Sequence, residues 1–315
     1  MAKFRKNHER NSRSNGFMIR GIIFTLVLVA ILVFGFSKFM NSNNNNLQKG
    51  ASETNEDSTN SLDSLGQFYI DINDRDFLPK DEQSYVVHHS YYSLGYNEKT
   101  EQANWVAYSL TKPSLRAKNV TRERYFKPDY SVHTRSAFFR DYSNSGYTKG
   151  HLAPAGDMAF NKKAMKESFF MSNISPQIRK FNNGVWKELE ENTRDWAYQK
   201  GEIFVVSGPI FYGNNYKKIG QNKVGVPDAF YKILLDKSES ESIAFIIPHE
   251  KTDLPLSQFA TSINEVESVV NIDFFYRFFK DDNEEESIEK MDNLKPWKIN
   301  NKRYKERVNK WNKQD

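Results

Sequence analysis

No cysteine occurs among the 315 residues of this chain. This absence excludes disulfides, thiolate zinc sites, iron–sulfur clusters and cysteine nucleophiles, so any bound metal must use nitrogen or oxygen ligands. The chain also lacks a phosphate-binding loop of the G-x-x-x-x-G-K type and any visible internal repeat. The chemistry must therefore come from His, Asn, carboxylate and basic side chains.

Net positive charge is confined to one short segment. The formal net charge is +5, and residues 1–20 alone account for it, since they contain six Lys or Arg and only Glu9 as an acid. The rest of the chain is close to neutral. The high isoelectric point therefore describes the N-terminal flank and is no argument for a nucleic-acid-binding domain.

The longest uncharged run follows the basic flank at 21–37, and Lys38 closes it. About 20 apolar residues cross a bilayer, so the run predicts a transmembrane helix over 21–38, with residues 1–20 as a cytoplasmic flank. A cleavable signal peptide and a buried core helix are the alternatives. By the positive-inside rule, the remainder is expected outside the cytoplasm of a bacterial envelope, with the mitochondrial inner membrane as the alternative location.

Composition divides the rest of the chain into three parts. Residues 39–66 are polar, with almost no large apolar side chains, and predict a flexible linker. Residues 67–280 are rich in aromatic and β-branched residues and predict one folded domain. Residues 281–315 predict an exposed, charged tail that contains Trp297, Tyr304 and Trp311 as potential docking residues.

Strand patterns dominate the predicted domain. Alternating or β-branched runs predict strands at Tyr85–Tyr92, Trp105–Leu110, Glu202–Ser207, Phe230–Leu235 and Ser242–Ile247. Apolar residues at three- and four-residue spacing predict a helix over Asn182–Lys200 that ends at Gly201, and Lys162–Phe170 predicts a shorter one. Because regular βαβ alternation is absent, the predicted class is α+β with a largely antiparallel sheet flanked by helices and preceded by the transmembrane helix.

Two segments concentrate residues suited to phosphodiester hydrolysis, namely SGYTKGHLAPAGDM at 145–158 and SNISPQIRKFNNGVWKELE at 172–190. A histidine near neutral pH serves as a general base, and His151 is the candidate. On one helix, Asn182 and Glu190 would differ by about 80° in direction and about 12 Å in rise, so they cannot ligate one ion together. A lone oxygen ligand suits Mg²⁺, which keeps several waters.

These segments resemble the DNA/RNA non-specific endonuclease family of ββα-metal nucleases, and the similarity extends over nearly the whole predicted domain. The family carries Asp-Arg-Gly-His, where this chain has Thr148, Lys149, Gly150 and His151. Its N-x-x-P-Q turn matches residues 173–177. The resemblance implies a ββα-metal nuclease fold and metal-dependent cleavage of DNA and probably RNA, with Mg²⁺ as cofactor and Mn²⁺ as a substitute.

The resemblance also implies the roles of individual residues. His151 corresponds to the general base, Asn182 to the direct Mg²⁺ ligand and Glu190 to the residue that orders metal-bound water. Lys149 is expected to act in catalysis and to contact phosphate. The expected additional residues are the upstream catalytic arginine Arg124, with Arg122 as the alternative phosphate-binding residue, and Asn173 as a substrate contact.

Several readings remain open at this stage. Thr148 and Lys149 replace the family's Asp and Arg, and lysine keeps the charge but loses the bidentate fork. Asn182 also fits a helix N-cap, and His88, His89 and His133 are interpreted as structural or surface residues. The rival functions are a catalytically weakened, tethered DNA-binding or uptake component and a small-molecule phosphodiesterase. A homodimer is considered as a further partner arrangement.

Overall fold

The computed structural model describes residues 75–117, 120–236, 238, 240–279 and 281–313. These residues belong to one compact unit that spans residues 65–315. The predicted flank at 1–20, transmembrane span at 21–38 and linker at 39–66 lie outside the described residues.

The described residues form eleven strands. Numbered in chain order, they are β1 Tyr85–His88, β2 Ser93–Asn97, β3 Gln102–Thr111, β4 Thr148–His151, β5 Ile174–Gln177, β6 Glu202–Ile210, β7 Lys218–Ile219, β8 Val224–Gly225, β9 Ala229–Asp236, β10 Glu241–Pro248 and β11 Ala260–Thr261. A seven-stranded antiparallel sheet forms the centre of the domain, in the order β1-β2-β3-β6-β9-β10-β11, and two further two-stranded sheets pair β4 with β5 and β7 with β8. The predicted class, α+β with a largely antiparallel sheet, is confirmed. The single strand predicted at Tyr85–Tyr92 is instead the first arm of a hairpin.

Helices cover both faces of this sheet. In chain order they are α1 Lys112–Arg116, α2 Lys162–Ser168, α3 Arg179–Phe181, a π-helical turn at Asn182–Trp186, α4 Lys187–Lys200, α5 Ile263–Val270, α6 Asp282–Glu289 and α7 Asn301–Asn309. Short 3-10 turns lie at Phe139–Tyr142, Met171–Asn173, Leu256–Gln258 and Trp311–Lys313. The predicted helix over Asn182–Lys200 is therefore present, but helical structure already begins at Arg179.

Alternation along the central strands builds two cores. Val205 and Leu234 pack in one apolar cluster together with Leu189 of α4, whereas their neighbours Val206 and Ile233 pack in the cluster on the opposite face. Successive side chains of a strand point to opposite faces of the sheet, so a strand buried on both sides reads as a continuous apolar run. All eight residues of β9 are buried, which agrees with this arrangement.

The C-terminal segment differs from the exposed tail expected from its charge. Trp297 is fully buried, and its ring lies 5.7 Å from the ring of Trp196 on α4, centroid to centroid. The indole Nε1 of Trp196 donates to the carbonyl of Lys298 at 3.0 Å. The segment is therefore part of the folded unit, because Trp297 is buried and Tyr304 and Trp311 are half-buried.

Candidate active site

The β4–β5 hairpin positions the candidate base. The strands pair antiparallel, with Thr148 opposite Gln177 and His151 opposite Ile174. A Cβ at Gly150 would lie 2.2 Å from the Gln177 side chain, so a glycine is needed between the lysine and the histidine of this motif. The hairpin places His151 at its end, facing the domain interior.

His151 lies in an aromatic environment and is only 7% exposed. Its ring is 5.5 Å from that of Phe126 and 4.9 Å from that of Phe169, centroid to centroid. Burial, together with the positive charge of Arg122, lowers the pKa of His151 from 6.5 to about 3. Its Nε2 is buried, and no described residue forms a hydrogen bond with it. The imidazole is therefore neutral near pH 7 and has a nitrogen free to bind a proton.

The π-helical turn orients Asn182. The backbone of Asn182 is helical, with φ −59° and ψ −49°, and the helix begins three residues earlier, so Asn182 is not an N-cap. Its Nδ2 donates to Thr148 Oγ1 at 2.9 Å, and that hydroxyl donates to the carbonyl of Gln177 at 2.8 Å. Gly184 breaks the helical path just beyond it, with φ −105° and ψ −111°. With Nδ2 engaged, the Oδ1 of Asn182 is the atom that remains for a ligand.

Glu190 and Arg194 lie one turn apart on α4 and belong to a partly buried charge network. Burial raises the pKa of Glu190 to about 7, although the nearby cations Arg194 and Lys232 act in the opposite direction. Arg194 donates from Nη1 to Asp157 Oδ1 at 2.8 Å, and the hydroxyl of Tyr108 donates to the other Asp157 oxygen at 2.8 Å. Asp157 is thus a fixed anchor for Arg194 and is not free to serve as a metal ligand.

Lys232, in the middle of β9, is fully buried beneath this network. Its Nζ donates to Ser207 Oγ at 2.9 Å and lies 4.9 Å from the ring centroid of Trp186. Burial lowers the pKa of Lys232 to about 8. A cation that faces Glu190 from the sheet therefore helps to keep this carboxyl partly ionised near neutral pH.

One cavity of about 230 Å³ collects these groups. Its polar lining consists mainly of side chains from the chain segment before β4, from β4 and from the helical stretch that follows β5, namely Arg122, His151, Asn182, Lys187, Glu190 and Arg194. The sequence places these residues up to 72 positions apart. Asn183 and Glu191 also line the cavity. The fold therefore brings together a neutral base, two amide side chains, two carboxylates and several cations.

The two candidate arginines occupy different positions. Arg122 lines the cavity, and its guanidinium carbon lies 5.2 Å from the ring centroid of Phe169, which also contacts His151. Arg124, which is exposed like Arg122, does not line the cavity. The geometry therefore favours Arg122, the alternative in the sequence reading, over Arg124.

Lys149 lies beside the cavity rather than in its lining. Its Nζ is 5.5 Å from the ring centroid of Phe126 and 5.7 Å from that of Tyr142. Since Phe126 also contacts the ring of His151, Lys149 and His151 lie on the same side of β4, as their two-residue spacing predicts.

Asn173 is fully buried, and its amide is engaged by the backbone. Its Oδ1 accepts from Ala153 N at 2.8 Å, and its Nδ2 donates to the carbonyls of Ala153 and Ser168 at 3.0 and 2.8 Å. The structure therefore places Asn173 in a position to hold the loop after His151, and not at the surface where substrate would bind.

Sequence analysis did not name Arg194, Lys232 or Asp157 as candidate site residues. Arg194 follows Glu190 by four residues on a predicted helix, a spacing that places both on one face. Lys232 interrupts the apolar run of β9, and a lone lysine in a strand buried on both sides is a recognisable exception. Asp157 has no comparable sequence pattern, because its partners come from distant segments.

Several known nucleases are similar in sequence to this chain. Human mitochondrial nuclease EXOG is 32% identical over 202 residues, which cover 58% of this chain and 55% of that protein. Human mitochondrial endonuclease G is 34% identical over 56% of this chain and 64% of its own length. Nuclease C1 of Cunninghamella echinulata var. echinulata is 34% identical over 64% of this chain and 83% of its own length. The chain thus spans little more than half of the human EXOG protein.

A chain in the crystal structure of an EndoG/EndoGI complex has the same fold, with a TM-score of 0.59 and 31% sequence identity. The superposition covers 62% of this chain and 88% of the other. The shared part therefore includes most of the solved relative.

The predicted localisation, a single-pass protein of the bacterial envelope, is contradicted by these relatives. Human EXOG and endonuclease G are mitochondrial nucleases. In the part of the chain that the structure describes, no helix is long and apolar enough to cross a membrane. The span predicted at 21–38 is outside that part.

The family model of the DNA/RNA non-specific endonucleases matches residues 75–280, which is more than half of the chain. The matched region contains the β4–β5 hairpin, the π-helical turn and α4, and therefore every polar residue of the cavity lining named above. The chain belongs to the DNA/RNA non-specific endonuclease family.

Proposed function

We propose that this protein is a metal-dependent endonuclease that hydrolyses phosphodiester bonds in DNA and RNA without sequence specificity. The observation that carries the proposal is the convergence of His151, Asn182 and Glu190 in one cavity. Family membership and the mitochondrial and fungal nucleases among the relatives support it.

His151 acts as the general base in this proposal. Its Nε2 has no hydrogen-bond partner in the part of the chain that the structure describes, and the low pKa of His151 keeps the ring unprotonated in the free protein. The anionic phosphate of a bound substrate favours the imidazolium form and so raises this pKa again. The base thus becomes stronger once substrate is bound, when a proton has to be taken from the attacking water.

The donor set fits a hard divalent cation, Mg²⁺ or Mn²⁺. Asn182 offers its Oδ1 because Thr148 holds its Nδ2. Among the described residues, no three His, Asp or Glu side chains are grouped to hold an ion, so Asn182 would share the ion with substrate and water. Such a cation stabilises negative charge on the phosphoryl oxygens and on the leaving oxygen.

Cationic side chains supply the remaining phosphate contacts. Arg122, Lys187 and Arg194 line the cavity, and Asp157 holds Arg194 in place. Arginine in particular recognises phosphate through paired donors. Lys149 contributes a point charge at the edge of the cavity, where the family has an arginine.

Cleavage of supercoiled plasmid by the purified full-length protein, with Mg²⁺ and with EDTA, tests the proposal. We expect metal-dependent nicking that His151→Ala abolishes and that His133→Ala, an exposed histidine outside the cavity, retains. Lys149→Arg should cleave faster, since an arginine can donate two parallel hydrogen bonds to phosphate where lysine offers a point charge. Plasmid that stays intact under all conditions but binds with a steep salt dependence would instead support a nucleic-acid-binding component.

A further inference from the structure

A second concave site lies next to the candidate active site and has a volume of about 570 Å³. The two sites are linked by Phe126, which lines the second site and whose ring contacts that of His151 at 5.5 Å. The apolar walls are formed by Phe126, Pro128, Phe138 and Phe139. The polar lining consists of Arg140, Asp141, Gln221 and Asn222. We call this site the aromatic pocket.

The floor of the aromatic pocket is rigidly built around Asp141, which is 3% exposed. Its Oδ2 accepts from Phe138 N and Asn222 Nδ2, both at 2.7 Å. Its Oδ1 accepts from the backbone N–H groups of Gln221 and Asn222 at 2.8 and 3.1 Å. Gly220, with φ +67°, packs so closely against Asp141 that a Cβ would lie 2.3 Å from it. These bonds join the 3-10 turn Phe139–Tyr142 to the β7–β8 turn, so the pocket exists before any ligand arrives.

The open part of the aromatic pocket combines flat apolar surface with polar groups. The Phe139 side chain is 46% exposed although it is large and apolar. The guanidinium carbon of Arg140 lies 5.8 Å from its ring centroid, and the Gln221 side chain is exposed at the rim. Aromatic rings with a guanidinium and an amide nearby suit a flat, aromatic ligand whose edge carries hydrogen-bonding groups.

A cation lies between the aromatic pocket and the candidate active site. Lys149 Nζ is 5.5 Å from the ring centroid of Phe126 and 5.7 Å from that of Tyr142, the last residue of the 3-10 turn. A phosphate held at Lys149 therefore brings an attached nucleotide to the mouth of the pocket. In a nucleic acid, the component with a flat face and a polar edge is the base.

We propose that the aromatic pocket binds one unstacked nucleobase of the strand that is being cleaved, next to the scissile phosphate. This inference rests on the proposed function and specifies its substrate, because a base enters the pocket only after it leaves its stack. A base in a duplex must first be unpaired and unstacked, which costs free energy, whereas the bases of a single strand are already accessible. The protein should therefore prefer single-stranded DNA or RNA.

The test compares wild-type protein with Phe139→Ala on short single-stranded DNA that carries one abasic nucleotide, moved along the strand position by position. In wild-type protein, kcat/KM should fall about 5- to 150-fold when the abasic nucleotide occupies one position beside the cut, as expected for loss of one base–aromatic stack. In Phe139→Ala this fall should disappear, together with the preference for single strands over a duplex of the same sequence. Phe139→Trp keeps a stacking surface and should retain both effects.

The matched control is Tyr198→Ala, which removes a similarly exposed aromatic ring, 43% accessible, from α4. It should show the same abasic penalty as wild-type protein. An abasic penalty that is equal in wild-type and Phe139→Ala proteins, or no penalty at any position, would overturn the proposal.

A binding measurement separates this inference from the proposed function. The affinity of His151→Ala protein for the same oligonucleotides, measured by fluorescence anisotropy in EDTA, does not depend on cleavage. In His151→Ala protein, an abasic nucleotide at one position should lower the affinity, and this loss should vanish in His151→Ala/Phe139→Ala protein. This result would support the aromatic pocket even if no variant cleaves. Cleavage by wild-type protein without any such loss supports the nuclease and rejects the pocket.

Discussion

Arg307 on α7 and Glu188 on α4 form an ion pair in which both side chains are completely buried. The Arg307 guanidinium also donates to the carbonyls of Thr252 and Leu254. Glu188 precedes Glu190 of the cavity by two residues. A segment beyond the family match at 75–280 is thereby attached to the helix that carries a candidate catalytic carboxylate.

Arg307→Met should lower the free energy of unfolding by about 3–5 kcal/mol, because it leaves the Glu188 carboxylate buried without its partner. Urea unfolding at pH 7 measures the change. Lys305→Met removes an exposed cation from the same helix and should stay within about 0.5 kcal/mol of wild type. Replacing both partners, in Glu188→Leu/Arg307→Met, should recover most of the loss, and equal losses in single and double variants would disprove the explanation.

Thr148→Val should weaken metal binding and metal-dependent activity by about 10- to 100-fold, the usual effect of removing a group that orients a metal ligand. The hydroxyl of Thr148 is the acceptor that holds Asn182 Nδ2, and valine cannot replace it. Thr148→Ser is the matched control and should remain close to wild type. The measurement is the cleavage rate as a function of metal concentration. An unchanged metal requirement in Thr148→Val would show that the hydrogen bond between Thr148 and Asn182 does not contribute to metal binding.

Stability should depend on His151 at acidic pH. Its pKa is lowered from 6.5 to about 3 in the folded protein, so the unfolded chain binds this proton more tightly. The free energy of unfolding that depends on neutral His151 is fully present above pH 6.5 and is lost as pH falls towards 3. At pH 4.5 the loss is about 2–3 kcal/mol. In urea unfolding at pH 7 and 4.5, His151→Asn should lose less stability on acidification than wild type or His133→Asn. Identical losses in all three proteins would contradict the assignment.

Activity should rise with pH as Glu190 ionises. Burial raises its pKa to about 7 in the free protein, and a bound cation lowers it again, so the acidic limb of kcat/KM should have its midpoint at or below about pH 7. Glu190→Gln should reduce the rate about 10- to 100-fold and remove the limb. Glu191→Gln changes the neighbouring carboxylate, which pairs with Arg303, and should leave the limb in place. A limb that persists in Glu190→Gln would assign the titration to another group.

The local pattern of the sequence predicts much of the fold. The central strands near Trp105, Glu202, Phe230 and Ser242 and the helix ending at Gly201 appear close to where periodicity places them. The boundaries differ where tertiary contacts decide them, as at Arg179, where helical structure begins before the amphipathic run. The short strands β4 and β5 have too few residues to show an alternating apolar pattern, although β4 contains His151.

The candidacy of His151, Asn182 and Glu190 as site residues follows from their match to the family's motifs in the sequence. The choice between Arg122 and Arg124 does not, since two basic residues so close together are equivalent until one packs against Phe169. Periodicity records which face of an element is apolar, and that is a property of neighbouring residues. Which distant side chains meet, as Arg307 meets Glu188, depends on how whole elements pack, and only the tertiary structure determines it.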